Sequence, residues 1–421
     1  MQAKEITDMI DKIIYIAFSL ALISSPLVRG QCLSENDEKL DEQVSNDLSG
    51  ITDFGLDLFR EIFPYNVSRN FFFSPYSIWN ALALAYFGSE DHTLLQLQKV
   101  LHLTDKVTAM KQWKQLQYMY EMRQMNNSDY TFNLANKAFF DTSVNLRPCM
   151  TEIMNKELEN LDFGQAESAA KTINDFVSIV TKGRISQIVN SGDISNSKMA
   201  LVNAAFFKGT WLYQFKASAT KKELFYATPE DYFFVDMMSQ KGNFKSGPSE
   251  ELGAHILELP YTGEDISMII LLPPFIAGEE GFNNMVAKLN GPLLHKEIDS
   301  LWRGQVEVSL PKFKLSEAVG DELITSLVKM GISDLFDPRL ANLTAFDPAG
   351  GLSVGKAIHK AFVEVNEEGT EAGAATALIQ FRVARPIEPE KFICNHPFLF
   401  LIFDNATKNI LFLGAYKNPK A

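Results

Sequence analysis

The chain has 421 residues, of which 46% are hydrophobic and 22% are charged, a composition that suits a globular protein with a large core. Its formal net charge of −13 argues against nucleic acid as a partner. The sequence contains no phosphate loop, dinucleotide fingerprint, His-Glu-x-x-His or Gly-x-Ser-x-Gly motif, and its six histidines show no metal-ligand spacing. We therefore predict no metal and no cofactor, and a hydrolase with dispersed catalytic residues is the enzyme alternative that stays open.

Residues 1–30 are typical of a signal peptide. Ile13 to Ile23 form an apolar run too short to span a bilayer, and Val28 and Gly30 are small residues suited to cleavage. A buried N-terminal helix is the alternative interpretation. Residues 31–50 are acidic and polar and predict a solvated tail. No other stretch of the sequence is long and apolar enough to cross a membrane, so we expect a secreted protein with one folded domain over residues 51–421.

Helical patterns come first along this domain. Apolar residues at helical spacing predict a helix over Ile51–Ile62. Ser74 before Pro75 predicts the N-cap and first turn of a second helix, which is apolar nearly all round and ends at Gly88. Two further helices are predicted over Met110–Gln124 and Ala169–Val180.

Strand patterns dominate the second half. They cover Met199–Phe207, His255–Pro260, Ile266–Leu272, Gln305–Phe313, Ala361–Val365, Phe392–Phe403 and Ile410–Ala415. No linker or repeat interrupts the chain. Helices followed by strands predict a single α+β domain.

The segment at residues 363–386, VEVNEEGTEAGAATALIQFRVARP, has a composition that suits both an exposed loop and a β-strand. A predicted strand leads into a run of small side chains without proline, and β-forming residues follow. In a strand, Thr370, Ala372, Ala374 and Thr376 would face one side, and all four are small enough to enter a packed interior. A flexible linker is the alternative interpretation. The pattern predicts a loop that can become a central strand and release stored free energy.

At these residues the sequence resembles the serpin family of serine protease inhibitors. The segment EEGTEAGAATA resembles the family's inhibitory hinge, and ordered matches extend over nearly all of residues 51–419: FFFSPYSI at 71–78, NAAFFKGTW at 203–211, LPKFKLS at 310–316, NHPFLFLIFD at 395–404 and ILFLGAYKNP at 410–419. The resemblance implies three β-sheets, eight or nine helices and an exposed reactive loop at about residues 367–390.

The resemblance also implies roles for individual residues. The hinge would comprise Glu367, Glu368, Gly369, Thr370, Ala372, Ala374 and Thr376. The shutter, a polar cluster beneath the sheet where strands part, and the breach, where insertion begins, would comprise Asn70, Ser74, Ser77, Asn203, Trp211 and His359. Gly373 departs from the alanine more usual in the hinge, and glycine in a strand costs about 0.5–1 kcal/mol, which predicts slightly slower or weaker insertion.

The implied function is inhibition of a serine protease by a suicide mechanism. The protease serine attacks the loop and forms an acyl-enzyme, and loop insertion then drags the protease away before hydrolysis. The implied partner is the covalently trapped protease, the inhibitor is a monomer, and no residue of this chain is catalytic. A non-inhibitory serpin, such as a carrier, chaperone or storage protein, is the alternative. The small hinge residues argue against it, because such members tend to carry charged, bulky or proline residues there.

Two bonds compete as the reactive bond. The usual loop length, counted from Glu367, points to Val383–Ala384, which suits an elastase-like protease with a shallow apolar pocket. Arg382–Val383 lies one residue out of register and offers the guanidinium that trypsin-like pockets bind. We prefer the first bond and keep the second.

Surface chemistry adds several expectations. Sequons predict glycosylation at Asn66, Asn126, Asn342 and Asn405. Three cysteines show no disulfide framework, so Cys149 and Cys394 are expected to be buried thiols and Cys32 an exposed one. A glycosaminoglycan is the weaker partner hypothesis, because basic residues occur where some serpins bind heparin, at Lys106, Lys111, Lys114 and Arg123. Glu121 and apolar residues interrupt them, so a solvated helix face is the favoured interpretation.

Overall fold

The computed structural model describes residue 33 and residues 47–66, 69–126, 130–195, 197–370 and 389–420. These residues form the predicted α+β arrangement. The predicted signal peptide at residues 1–30, most of the tail at 31–50 and loop residues 371–388 lie outside the described residues. The first helix begins at Ser49, two residues before the expected start of the folded domain.

Ten α-helices occur among the described residues, one more than the upper expectation, and two of them are very short. They are α1 Ser49–Ile62, α2 Pro75–Gly88, α3 Asp91–Val100, α4 Lys106–Asn126, α5 Pro148–Ile153, α6 Ala166–Val180, α7 Ser191–Ile194, α8 Gly278–Lys288, α9 Gly291–Asp299 and α10 Asp321–Met330. The central helix α2 is buried along its whole length, as its apolar sequence predicts. The Ser74 hydroxyl caps it by accepting a hydrogen bond from the backbone N–H of Ser77.

The larger sheet has nine strands, eight in one continuous order and a ninth that pairs with one of these eight beside it. These strands are β1 Phe71–Phe73, β5 Lys221–Tyr226, β6 Tyr232–Ser249, β7 Ala254–Pro260, β8 Ile266–Leu272, β9 Trp302–Pro311, β13 Glu390–Ile393, β14 Phe398–Asp404 and β15 Asn409–Tyr416. Their order is β1-β15-β14-β8-β7-β6-β9-β13, with β5 paired to β6. The two C-terminal strands therefore lie inside the sheet, and every residue of both is buried.

The smaller sheet contains the hinge. Its strands are β2 Tyr130–Asp141, β3 Leu158–Leu161, β4 Met199–Thr210, β10 Phe313–Val319, β11 Lys356–Val365 and β12 Gly369–Thr370. The order is β10-β11-β4-β2-β3, and β12 pairs with the end of β4. The fold thus has two hydrogen-bonded sheets over the described residues where three were expected. The reason is the 18-residue strand β6, which pairs with β5 over residues 232–237, with β9 over 237–246 and with β7 over 245–249.

Two apolar layers enclose the smaller sheet. On one face, Leu201, Ala205 and Phe207 of β4 join the main core around α2. On the other face, side chains of β4 and β11 pack beneath α6 through its buried residues Ile173 and Val177. The sheet therefore has no free face at its centre, and any change in its strands must move α2, α6 or both.

Candidate functional site

The central feature of the smaller sheet is a seam between two parallel strands. Strand β11 pairs with β4 in parallel from Lys356 opposite Ala200 to Phe362 opposite Phe206. The outer neighbours of these strands, β10 and β2, are both antiparallel to them. A strand that entered the seam would run antiparallel to β4 and to β11 at once, so the two strands already have the orientation that accommodates a new central strand.

A buried polar cluster lies beneath the middle of this seam. His359 of β11 stands directly opposite Asn203 of β4, and the two side chains are hydrogen-bonded. The amide nitrogen of Asn203 donates to the Ser77 hydroxyl at 2.7 Å and to the Ser77 carbonyl at 2.5 Å. Ser74 donates its hydroxyl proton to the Leu411 carbonyl at 2.6 Å. Four of the six predicted shutter and breach residues thus meet at one point, where α2 touches both seam strands.

The hydrogen bonds fix the state of His359. The Ser74 backbone N–H donates to its Nε2 at 2.9 Å, so Nε2 is an acceptor and Nδ1 carries the proton that binds Asn203 Oδ1. The ring is fully buried, and burial lowers its pKa from the usual 6.5 to about 3. A proton on Nε2 would face the Ser74 donor, so the cluster exists only around neutral histidine.

Asn136 is a member of this cluster that sequence reasoning missed. It lies on β2 opposite Asn203, and its Oδ1 accepts hydrogen bonds from Asn203 and, at 3.1 Å, from the Ser77 hydroxyl. The sequence feature that could have identified Asn136 is the presence of an amide side chain in the largely apolar run from Leu134 to Phe140. With Asn136 included, the cluster links α2 to three adjacent strands, β2, β4 and β11.

The hydrogen bonds of Asn70 connect it to the C-terminal chain, and its assignment to the shutter stays a prediction. Asn70 precedes β1, where its amide nitrogen donates to the Asn418 carbonyl at 2.6 Å and its Oδ1 accepts from the backbone N–H groups of Lys417 and Asn418. These bonds hold the chain that follows β15. The local sequence could not separate this role from the shutter, because Asn70 lies only four residues before Ser74.

Strand β12, which contains the predicted hinge residues Gly369 and Thr370, lies at the upper end of the seam. The pairing of β11 with β4 stops at Phe362 opposite Phe206, and beyond that point β12 pairs with β4. Gly369 stands opposite Thr210, and Thr370 stands opposite Gly209, in antiparallel register. Gly369 has φ +141°, and a Cβ atom there would lie 2.1 Å from the Gly209 carbonyl oxygen. Only glycine fits this turn into the sheet.

Trp211 holds the turn that precedes the hinge strand. Its indole Nε1 donates to the Asn366 carbonyl at 3.0 Å, and its backbone N–H donates to the Glu368 carbonyl at 2.9 Å. The ring is buried and stacks on Tyr261 at a centroid distance of 4.5 Å. Trp211 thus fixes the turn at the upper end of the seam, and its assignment to the breach stays a prediction.

Glu367 is anchored to the neighbouring strands. Its carboxylate lies 2.8 Å from Lys312 Nζ and accepts a hydrogen bond from the Thr220 hydroxyl at 2.7 Å. Burial alone would raise the pKa of Glu367, but the hydrogen bonds from Lys312 and Thr220 outweigh it and lower the pKa. The chain just before β12 is therefore fixed by an ion pair and a hydrogen bond. Ala372, Ala374, Thr376, Arg382, Val383 and Ala384 lie outside the described residues.

The sequons differ in their surroundings. Asn66 is only 2% exposed, and its amide nitrogen donates to the Ile62 carbonyl. A glycan could be attached to so buried a side chain only if this turn opened. The structure therefore argues against glycosylation at Asn66. Asn342 and Asn405 are partly exposed, although the amide of Asn405 already donates two hydrogen bonds. Nothing is described for the side chain of Asn126.

The basic residues of α4 do not form a free basic face. Lys106 is 5% exposed and donates to Ser89 and Glu90. Lys114 donates to the Ile153 carbonyl at 2.7 Å, and Arg123 pairs with buried Asp404 at 2.7 Å. Three of the four residues are therefore bound within the protein, which weakens the glycosaminoglycan hypothesis and corrects the expectation of a solvated face.

The cysteines divide into two kinds among the described residues. Cys394 is a free, fully buried thiol whose pKa burial raises, as expected of an inert side chain. Cys149 is disulfide-bonded, so the expectation of a buried thiol there is wrong. Cys32 lies outside the described residues. Within the same described ranges no group of acidic, histidine or cysteine side chains could hold a metal ion, and no helix is long and apolar enough to cross a membrane.

Comparison with known proteins yields one consistent family. The family model for Serpin (serine protease inhibitor) matches residues 49–419. Similar curated proteins include serine protease inhibitor 88Ea of Drosophila melanogaster, 36% identical over 95% of this chain and 97% of that protein, and the human leukocyte elastase inhibitor, 38% identical over 90% of this chain and 100% of that protein.

Solved structures agree with the sequence comparison. Uncleaved ovalbumin matches with a TM-score of 0.78 at 28% identity, over 89% of this chain and 100% of its own. Serpin48 of the insect Tenebrio molitor, described as highly specific, matches with a TM-score of 0.76 at 29% identity, over 88% of this chain and 97% of its own.

The buried His359 predicts a pH dependence of stability. Its pKa is about 3 in the folded protein and 6.5 when unperturbed, so its contribution is complete above pH 6.5 and is lost as pH falls from 6.5 toward 3. The free energy of unfolding of the wild type should therefore fall more steeply between pH 7 and pH 5 than that of His359→Gln. Denaturant titration at each pH measures both slopes.

The control for this test is His92→Gln, because His92 is exposed on α3. It should retain the wild-type slope. Parallel slopes for the wild type and His359→Gln would contradict the inference that neutral His359 is required by the cluster.

Proposed function

The chain belongs to the serpin family of serine protease inhibitors, and from that premise we propose that it is a secreted suicide inhibitor that traps a serine protease by inserting its reactive loop into the smaller sheet. The observation that carries the proposal is the seam between β4 and β11, with the hinge strand β12 already at its upper end. The direction of β12 along β4 is the direction that full insertion requires.

Insertion would improve the pairing of the sheet. It exchanges a short parallel pairing between β4 and β11 for two antiparallel ladders, one on each side of the new strand. Every backbone N–H and C=O group of the inserted residues gains a partner. The intact protein is therefore proposed to hold a fold of higher free energy than its inserted form.

The register of β12 supports the role of the small hinge residues. Gly209 faces the side chains of Phe207 and Tyr261 in the core, and Thr370, as its direct antiparallel partner, lies on the same face of the sheet. Continued along β4, this register would place Ala372 opposite Phe207, Ala374 opposite Ala205 and Thr376 opposite Asn203. The small side chains would then enter the core, and the Thr376 hydroxyl would reach the polar cluster where Asn203 and His359 must separate.

Secretion and the class of target are parts of the proposal with separate support. The signal-like residues 1–30 support secretion. Val383 in the preferred register, together with relatives named leukocyte elastase inhibitor, supports an elastase-like target. Arg382 supports a trypsin-like target in the neighbouring register.

Cleavage of the loop should stabilise the protein. About ten new backbone hydrogen bonds, each worth roughly 1 kcal/mol, would raise the melting temperature by at least about 10 °C. Differential scanning calorimetry compares intact protein with protein nicked once within residues 371–388. An equal or lower midpoint after nicking would contradict insertion and leave a carrier or storage role.

Thr370→Arg should convert the inhibitor into a substrate. An arginine opposite Gly209, next to Phe207 and Tyr261, would oppose the formation and extension of β12 at a cost of several kcal/mol, so the loop would be cut without trapping the protease. We expect the yield of SDS-stable complex to fall at least about tenfold, while Thr370→Ser retains it. Gel electrophoresis after incubation with protease measures both products, and an unchanged yield with arginine would refute the hinge assignment.

The reactive bond can be located from the peptide that trapping releases. We expect a new N-terminus at Ala384 after incubation with leukocyte elastase, and mass spectrometry of the released peptide checks it. An N-terminus at Val383, obtained with trypsin, would make the protein an inhibitor of trypsin-like enzymes. Cleavage outside residues 382–386 would refute both registers.

A further inference from the structure

An exposed apolar surface lies on the β5–β6 hairpin and on the loop after β8. Among the described residues, four of its side chains are well exposed: Tyr232 by 56%, Phe234 by 69%, Phe275 by 49% and Ile276 by 96%. Tyr226 joins them, because its ring lies 6.0 Å from that of Tyr232 and 5.5 Å from that of Phe275. These five residues are termed the aromatic patch.

The fold does not require these side chains to be apolar. Along β6, Val235 is buried and Phe233 packs against Lys420, whereas Tyr232 and Phe234 point to the opposite, solvent-facing side. The solvent face of an antiparallel sheet is normally polar. A contiguous apolar patch on that face is typical of a surface that binds another protein.

Acidic residues flank the aromatic patch on both sides. Glu230 and Asp231 form part of the hairpin turn next to Tyr232, and Glu279 and Glu280 follow Ile276 along the chain. All four are exposed. On the same face of the hairpin, Lys222 lies beyond Phe234 and is paired with Asp236 at 3.0 Å, which offsets its charge. An apolar centre with acidic residues at these two margins fits a partner whose own contact surface has apolar side chains next to lysine and arginine.

The aromatic patch is connected to the chain that leaves the reactive loop. The Tyr226 backbone N–H donates to the Asn395 carbonyl at 2.8 Å. The next residue, His396, is hydrogen-bonded through Nε2 to the Pro273 carbonyl at 2.7 Å, and its ring lies 5.4 Å from Phe275. Asn395 comes six residues after Pro389, which spans at most about 20 Å. The patch is therefore close to the C-terminal end of the loop.

We propose that the aromatic patch is a second docking surface for the serine protease that attacks the reactive loop, and that it selects proteases with basic residues next to an apolar contact. This inference rests on the proposed inhibitory function. A protease domain of about 200 residues is roughly 40 Å across, about twice the greatest length of chain between Pro389 and Asn395. Tyrosine is among the residue types that dominate binding energy at protein interfaces, and phenylalanine is enriched there.

The test removes the patch without touching the loop. The variant carries Tyr232→Ser, Phe234→Ser and Ile276→Ser. The protease is whichever of leukocyte elastase, trypsin and chymotrypsin the wild type traps fastest. We expect the second-order rate constant of inhibition to fall at least about tenfold, with an unchanged ratio of trapped to cleaved inhibitor, because docking is lost while insertion is not.

A matched control removes three exposed apolar side chains elsewhere, as Leu95→Ser, Ile179→Ser and Leu340→Ser. This variant should inhibit at the wild-type rate. Ile276→Ser alone provides a second test, since a side chain that is 96% exposed contributes little to folding. It should slow inhibition by a smaller factor.

The outcomes separate the two proposals. Equal rates for the wild type and the triple variant overturn the docking surface and leave the inhibitory function intact. No trapped complex with any of the three proteases overturns the inhibitory function and this inference with it. A wild type that sediments as a dimer while the triple variant sediments as a monomer assigns the patch to a second copy of the chain, which also overturns the inference.

Discussion

The parallel pairing between β4 and β11 is the constraint on which the rest of the structure depends. It places two strands side by side in the orientation that favours a third strand between them. A small set of buried hydrogen bonds holds the pair together at His359 and Asn203. Because these groups are hydroxyl, amide and imidazole, they can exchange partners as the strands separate, which an apolar contact could not do without leaving a cavity.

The two ends of this mechanism are held in opposite ways. At the upper end, Gly369 and Thr370 already pair with β4, which is where the proposed insertion would begin. Just before them, Glu367 is tied to Lys312 and Thr220, and Trp211 binds two carbonyls of the turn. In the proposed mechanism, extension of β12 would start from this paired end and would have to proceed from a turn that these contacts hold in place.

The sequence analysis correctly predicted the elements that are determined by residues close together in the chain. Ser74 and Pro75 marked a helix start, and the apolar run Ile266–Leu272 matched β8 residue for residue. The predictions failed where contacts between residues far apart in the chain determine the structure. The alternating run Gln305–Phe313 is divided at Lys312, because its two parts belong to different sheets, and Asn136 became functional only through its pairing with Asn203 across β2 and β4. The hinge could be recognised because small side chains without proline, lying between a strand and β-forming residues, suit a segment that can enter a packed sheet.

The position of β14 and β15 inside the larger sheet has a consequence for biosynthesis. These strands separate β1, near the start of the domain, from β8, and they are the last strands of the chain. A growing chain cannot close this sheet until residue 416 has left the ribosome. The segment that follows β11 emerges earlier, so it leaves the ribosome before the strands that complete the larger sheet have been made.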